Sequence, residues 1–111
     1  MDNNDGVAII AVERRRQIQR EGWTPEHDNL HDDGTLAEAA ACYALPPELR
    51  QSECNQNVPT TLIEYLLDGM ALQGWAHDWF KPSPDNRIRE LAKAGALIAA
   101  EIDRLMRIEE V

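Results

Sequence analysis

A chain of 111 residues with 20 acidic against 11 basic side chains, a net charge of −9 and a pI near 4.6 carries the wrong sign for broad attraction to a nucleic acid backbone or to anionic lipid, so nonspecific nucleic acid binding is disfavoured. The length predicts one domain, residues 1–111, with a core modest enough that self-association would help to bury apolar surface. The opening MDNNDGVAII lacks the pattern of a secretory signal, no apolar run reaches a membrane span, and Cys42 and Cys54 lack zinc-type spacing; the expectation is a soluble cytoplasmic protein with reduced thiols, a pairing of the two cysteines staying open.

Asp5 can cap a first helix from about Gly6 to Glu21, with Val7, Ile9, Ile10, Val12 and Ile18 on its apolar side and a heavily charged second half, ERRRQIQRE. Gly22 and Pro25 then read as breakers. The stretch EGWTPEHDNLHDDG is expected to be a polar His/Asp-rich loop up to Gly34. A second helix follows over roughly 35 to 45, with Leu36, Ala40 and Tyr43 at helical spacing, and Pro46-Pro47 stops it. PPELRQSECNQN reads as a surface loop. Thr61 and Glu64 form a capping-box pattern and predict a third helix to about Gly69 or Gly74, followed by the irregular GWAHDWFKPSP.

The strongest periodicity lies from Asp85 to about Ile108, where Ile88, Leu91, Gly95, Ile98, Ile102 and Leu105 recur at alternating intervals of three and four and fall on one stripe. Ala92, Ala94, Gly95, Ala96, Ala99 and Ala100 leave room for the close approach of another helix, from the same subunit or from a second one. No apolar alternation of period two is bounded by hairpin signals. The expected fold is therefore all-α, a compact bundle of about four helices with an irregular His/Asp-rich loop, and oligomeric.

Several residue groups could carry chemistry. His27 and His31 stand four apart, as in a zinc-binding helix, but Asp28 replaces the glutamate such a helix uses to activate water, and the surrounding turn formers favour a polar loop over a metal site. His77-Asp78 has no third ligand nearby. Glu13, Glu38, Glu64, Asp68 and Glu101 could hold magnesium if they converged, although 20 acids in one chain produce such pairs by chance. Against this acidity, Arg14, Arg15, Arg16 and Arg20 lie on one helix and Lys81, Arg87, Arg89 and Lys93 surround the start of the last. Guanidinium forks suit phosphate oxygens, and Trp23, Trp75, Trp79 and Phe80 offer flat faces for a base; the alternative is that the aromatics close the core and the arginines pair with surface acids. No glycine-rich phosphate loop, GxSxG elbow or Cys/His nucleophile arrangement is present.

The run ERRRQIQREGWTPEHDNLHDDGTLAEAAACYA, with WFKP and the closing RELAKAGALIAAEIDRL, resembles a family of small phage and prophage proteins that also occurs as a C-terminal module in early-region proteins of lambdoid phages. No activity attaches to that family. The chain departs from it at Thr35, where relatives commonly carry glutamate in a GELA run, and over Gln51 to Gly74. More loosely, the helical plan is similar to the all-α MazG-like nucleoside triphosphate pyrophosphohydrolases, which hold magnesium with ExxE on one helix and ExxD on another. Here Glu38 has no partner three residues away, and Glu90 is followed by Lys93 where an aspartate would be wanted.

The phage resemblance implies a protein of the bacterial host's cytoplasm that counters host defence. In the leading expectation it is a non-catalytic homo-oligomer that sequesters a nucleotide immune signal, linear or cyclic. Trp23, Trp75 or Trp79 would stack the base, Arg14, Arg16, Lys81 and Arg87 would hold phosphates, and His27, Asp28 and His31 would shape the lip, without metal or cofactor. The first alternative is a magnesium-dependent MazG-like pyrophosphohydrolase using Glu13, Glu38, Glu64, Asp68 and Glu101. The second is an acidic protein that binds and inhibits a host defence complex.

Overall fold

In the computed structural model, which describes residues 5–29, 34–54, 57, 59–73, 75 and 78–109, the Asp5 carboxylate accepts the Ala8 amide at 2.8 Å and starts α1, Gly6–Arg20. Gly22, at φ 74°, turns the chain as Trp23 donates its amide back to the Gln17 carbonyl. The segment expected to be an irregular loop then forms a short helix, α2, Pro25–Asn29. Pro25 begins this helix instead of breaking one, because a first-turn proline lacks an amide that would be unpaired there in any case. Thr24 completes the start: its hydroxyl accepts from the His27 amide and its carbonyl from the Asp28 amide. His31, expected in the same loop, lies outside the described residues, as does His77.

Gly34, at φ 88°, leads into α3, Thr35–Ala44. Pro47 repeats the Pro25 lesson by opening a one-turn helix, α4, Pro47–Arg50, inside the expected surface loop. The threonine half of the expected capping box forms: Thr61 Oγ1 accepts from the Glu64 amide at 3.2 Å and starts α5, Leu62–Leu72, while the Glu64 carboxylate accepts the Thr61 hydroxyl at 3.0 Å in place of a backbone amide. Asn86 Oδ1 accepts from the Arg89 amide at the head of α6, Arg87–Glu109. The fold is all-α; among the described residues there is no strand, only an isolated bridge between Glu53 and Thr61. No helix of the described residues is long and apolar enough to cross a membrane.

The long α6 is the spine. α3 and α1 both pack against it, and α5 joins α3. The core joins Leu36, Ala39, Cys42 and Tyr43 of α3, Ile63 and Met70 of α5, Trp75 and Trp79, and Ala94, Leu97 and Ala100 of α6. Small residues permit this proximity, as expected from the alanine-rich sequence. At Gly95 the approach of α1 is close enough that an added Cβ would stand 2.5 Å from Cδ1 of Ile10. Within this core Cys42 is fully buried and its thiol is pushed up to about 11 by desolvation, while Cys54 is exposed; both are free thiols.

The regular stripe that identified the last helix does not face the core: Ile88, Leu91, Ile98, Ile102 and Leu105 are all exposed. The core side is the opposite one, where Glu90, Lys93, Leu97, Ala100 and Arg104 are buried.

Candidate functional site

The aromatic and cationic residues expected to form a ligand lip do gather in part, at the corner where α1 turns into α2. Trp23 stacks on His27 with ring centroids 5.9 Å apart and planes 3° from parallel. Arg14 donates to Asp28 at 2.9 Å and to the Trp23 carbonyl at 3.3 Å, and His27 Nδ1 lies 3.2 Å from the other Asp28 oxygen. Asp28 is wholly buried, so the Arg14 charge is needed to offset its desolvation. Gln17 is buried beside this turn with no hydrogen-bond partner for its Oε1 among the described residues.

The remaining phosphate-holding candidates are committed elsewhere. Arg16 clamps Glu13 through both carboxylate oxygens and reaches Glu21, which together hold its guanidinium above the ordinary arginine range against the opposing effect of burial. Arg87 donates to the carbonyls of Tyr43 and Ala44 and to Glu90. Lys81 is the most accessible of the set, with its ammonium 3.8 Å from Glu21 and its side chain 64% exposed. Trp75 and Trp79 are buried in a cluster with Tyr43 and Phe80, edge to face with one another at 4.9 Å, so they present no open face to a base. The corner is thus tied to itself, in contrast to the expected open lip.

The most buried charge cluster is one that the sequence reading did not single out. Glu90 receives Arg50 at 2.7 Å, Arg87 at 3.0 Å and the Ser83 amide at 3.0 Å, with Arg50 and Glu90 both shielded from solvent. Burial pushes the Glu90 carboxyl up, but these donors together hold it below the usual glutamate range. Arg50 also donates to the Cys42 carbonyl and lies over the Phe80 ring. Three residues on, Lys93 is buried; it donates to the Lys81 carbonyl at 2.8 Å and stands 5.2 Å from the Tyr43 ring centre. Desolvation and the nearby Arg89 lower its pKa, and it is occupied by these contacts, not held out toward a phosphate. The cluster joins α4, the chain before α6, and α6 itself. A signal for it existed in the spacing of Glu90, Lys93, Leu97, Ala100 and Arg104, a second face of the same helix that the apolar residues drew attention away from.

The five carboxylates considered for magnesium separate. Glu13 is held by Arg16, Glu64 accepts the Thr61 hydroxyl and Glu101 pairs with Arg104. Among the described residues no group of three or more His, Cys, Asp or Glu side chains is arranged to hold a metal ion. Glu38 and Asp68, however, line the same feature, an open groove of about 590 Å³ between α3 and α5. Its walls are mainly apolar, from Leu66, Leu72 and the ring of Tyr65, with Gln73 also in the lining and no lysine or arginine there among the described residues. Tyr65 and Leu72 are strongly exposed along it.

No family model matches the chain, and neither the curated proteins nor the solved structures give a match.

Proposed function

We propose that the protein acts by binding another protein, and that the α3–α5 groove receives a basic amphipathic segment of that partner. The observation that carries this reading is the pairing of an apolar groove, bearing exposed Tyr65 and Leu72, with carboxylates at Glu38 and Asp68 and no cation in its lining. An amphipathic helix lays its apolar residues into such a groove and its lysines or arginines against the acids. The net charge of −9 speeds the encounter with a basic partner. Together with the resemblance to small phage proteins, this favours an inhibitor of a host defence complex.

A nucleotide ligand is favoured less, because Arg14, Arg16 and Arg87 are already bonded to protein groups and the groove carries the same sign as a phosphate. For magnesium-dependent hydrolysis the groove offers, among the described residues, Glu38 and Asp68, fewer carboxylates than the ExxE and ExxD plan requires.

The test is a titration of a fluorescent peptide with leucines and lysines at helical spacing, beside magnesium with a panel of linear and cyclic nucleotides. The expected result is salt-sensitive peptide binding, weakened at least tenfold by Glu38→Lys with Asp68→Lys and unchanged by Asp103→Lys. Peptide binding that ignores the groove substitutions, or its absence, overturns the proposal. Retained intact nucleotide would restore sequestration, and released pyrophosphate would restore the hydrolase.

A further inference from the structure

Along α5, Tyr65, Asp68, Gly69 and Leu72 stand at positions i, i+3, i+4 and i+7, so they are neighbours on one patch of the helix surface. All four are exposed and line the α3–α5 groove, with Tyr65 61% and Leu72 91% accessible. Four residues in such a diamond form the hole that a facing helix fills with one side chain. The floor of this hole is the odd member. Glycine in the middle of a helix is unfavourable, because it gives up more backbone freedom than any other residue and contributes no side chain. Gly22 and Gly34 are explained by a positive φ, and Gly95 by the close approach of Ile10. Gly69 has neither reason: its φ is not positive, and a Cβ added there would meet nothing within 4 Å among the described residues. The open space lies on the outer side of the helix, between two large exposed side chains.

We infer that Gly69 is the recognition point of the groove, where the partner's helix comes closest and seats one large apolar side chain, leucine or larger, between Tyr65 and Leu72. This rests on the groove reading proposed above and narrows the partner it fits. With no Cβ on the floor the incoming side chain sits deeper, and the Tyr65 ring and Leu72 close on it from about one helical turn to either side. Asp68 borders the same hole and Glu38 belongs to the same lining, so the partner's lysine or arginine falls within about one turn of the seated residue. The segment recognised is therefore an amphipathic helix with one obligatory large apolar residue and a cation three or four positions from it. A side chain at position 69 would improve the free helix and occupy the partner's place. That opposition separates a residue kept for recognition from one kept for the fold.

The experiment titrates the fluorescent peptide of leucines and lysines, and copies in which each leucine in turn is replaced by alanine, against the intact chain, Gly69→Ala and Gly69→Leu. Each protein is also unfolded in urea. Both substitutions should raise the urea midpoint, since each improves the helix and meets open space. Gly69→Leu is expected to weaken the parent peptide at least tenfold, and Gly69→Ala by a smaller factor. One of the alanine peptides should bind the intact chain at least tenfold more weakly than the parent and lose little more on Gly69→Leu, because the side chain that meets position 69 is already gone. A parent peptide that still needs Glu38 and Asp68 but binds Gly69→Leu as tightly as the intact chain overturns this inference and leaves the groove reading standing. A lowered urea midpoint in Gly69→Ala does the same, since the glycine would then serve the fold. Peptide binding that is independent of Glu38 and Asp68, or absent, overturns both.

Discussion

On α6, the side that meets the rest of the chain holds Glu90, Lys93 and Arg104 beside Leu97 and Ala100, whereas the side toward solvent carries Ile88, Leu91, Ile98, Ile102 and Leu105. Both faces have the same three-and-four rhythm, so periodicity alone does not tell inside from outside. What separates them is how each polar group is satisfied. Glu90 and Lys93 are tolerable in the core because Arg50, Arg87, the Ser83 amide and the Lys81 carbonyl meet them. The isoleucines outside have no polar group to satisfy and lose only the benefit of being covered, roughly 25 cal/mol for each Å² of apolar surface left in water. A helix can thus keep ion pairs within its fold while its most apolar stripe stays in water.

The contrast is broken most severely at Glu90. Glu90→Ala leaves Arg50 buried without its carboxylate and should cost about 3–5 kcal/mol, measured as a lowered midpoint in urea unfolding. The second effect is the acid dependence of the same group. Because the folded Glu90 carboxyl titrates below the ordinary glutamate value, its contribution is fully present above that ordinary value and is lost as pH falls through the lowered folded one. Stability of the intact chain should therefore drop in acid more steeply than that of Glu90→Gln, in unfolding curves recorded from neutral pH downward. The smallest expected effect lies away from α6, where Thr61→Ala removes the capping hydroxyl of α5 and should cost about 1 kcal/mol, seen as a modest shift in the unfolding midpoint.

Much of the backbone plan was legible because it rests on local chemistry. Asp5 and Thr61 marked two helix starts by side chains that accept the amide three residues on, and each does so. The prolines at 25 and 47 misled because proline both ends one helix and begins another, and which it does depends on whether the following residues find partners. At α2 those partners are Thr24 and, across 14 residues, Arg14 bonded to Asp28. The site was less legible than the fold. Arg14, Trp23, His27 and Asp28 come together as the clustering of their types suggested, but residue type does not reveal that they satisfy one another. The Arg50–Glu90 pair spans 40 positions, and the groove at Glu38 and Asp68 exists only once α3 and α5 are side by side.

The burial of Cys42 also supplies a chemical clock. Its thiol titrates near 11 and sits inside the α3–α6 packing, while Cys54 lies open to solvent. A thiol reagent near neutral pH meets one ready sulfur and one shielded sulfur in the same molecule. Cys54 is consumed at the pace of the reagent, and Cys42 at the pace at which the chain breathes open between those two helices, so the delay between first and second modification reports the lifetime of the closed fold from within.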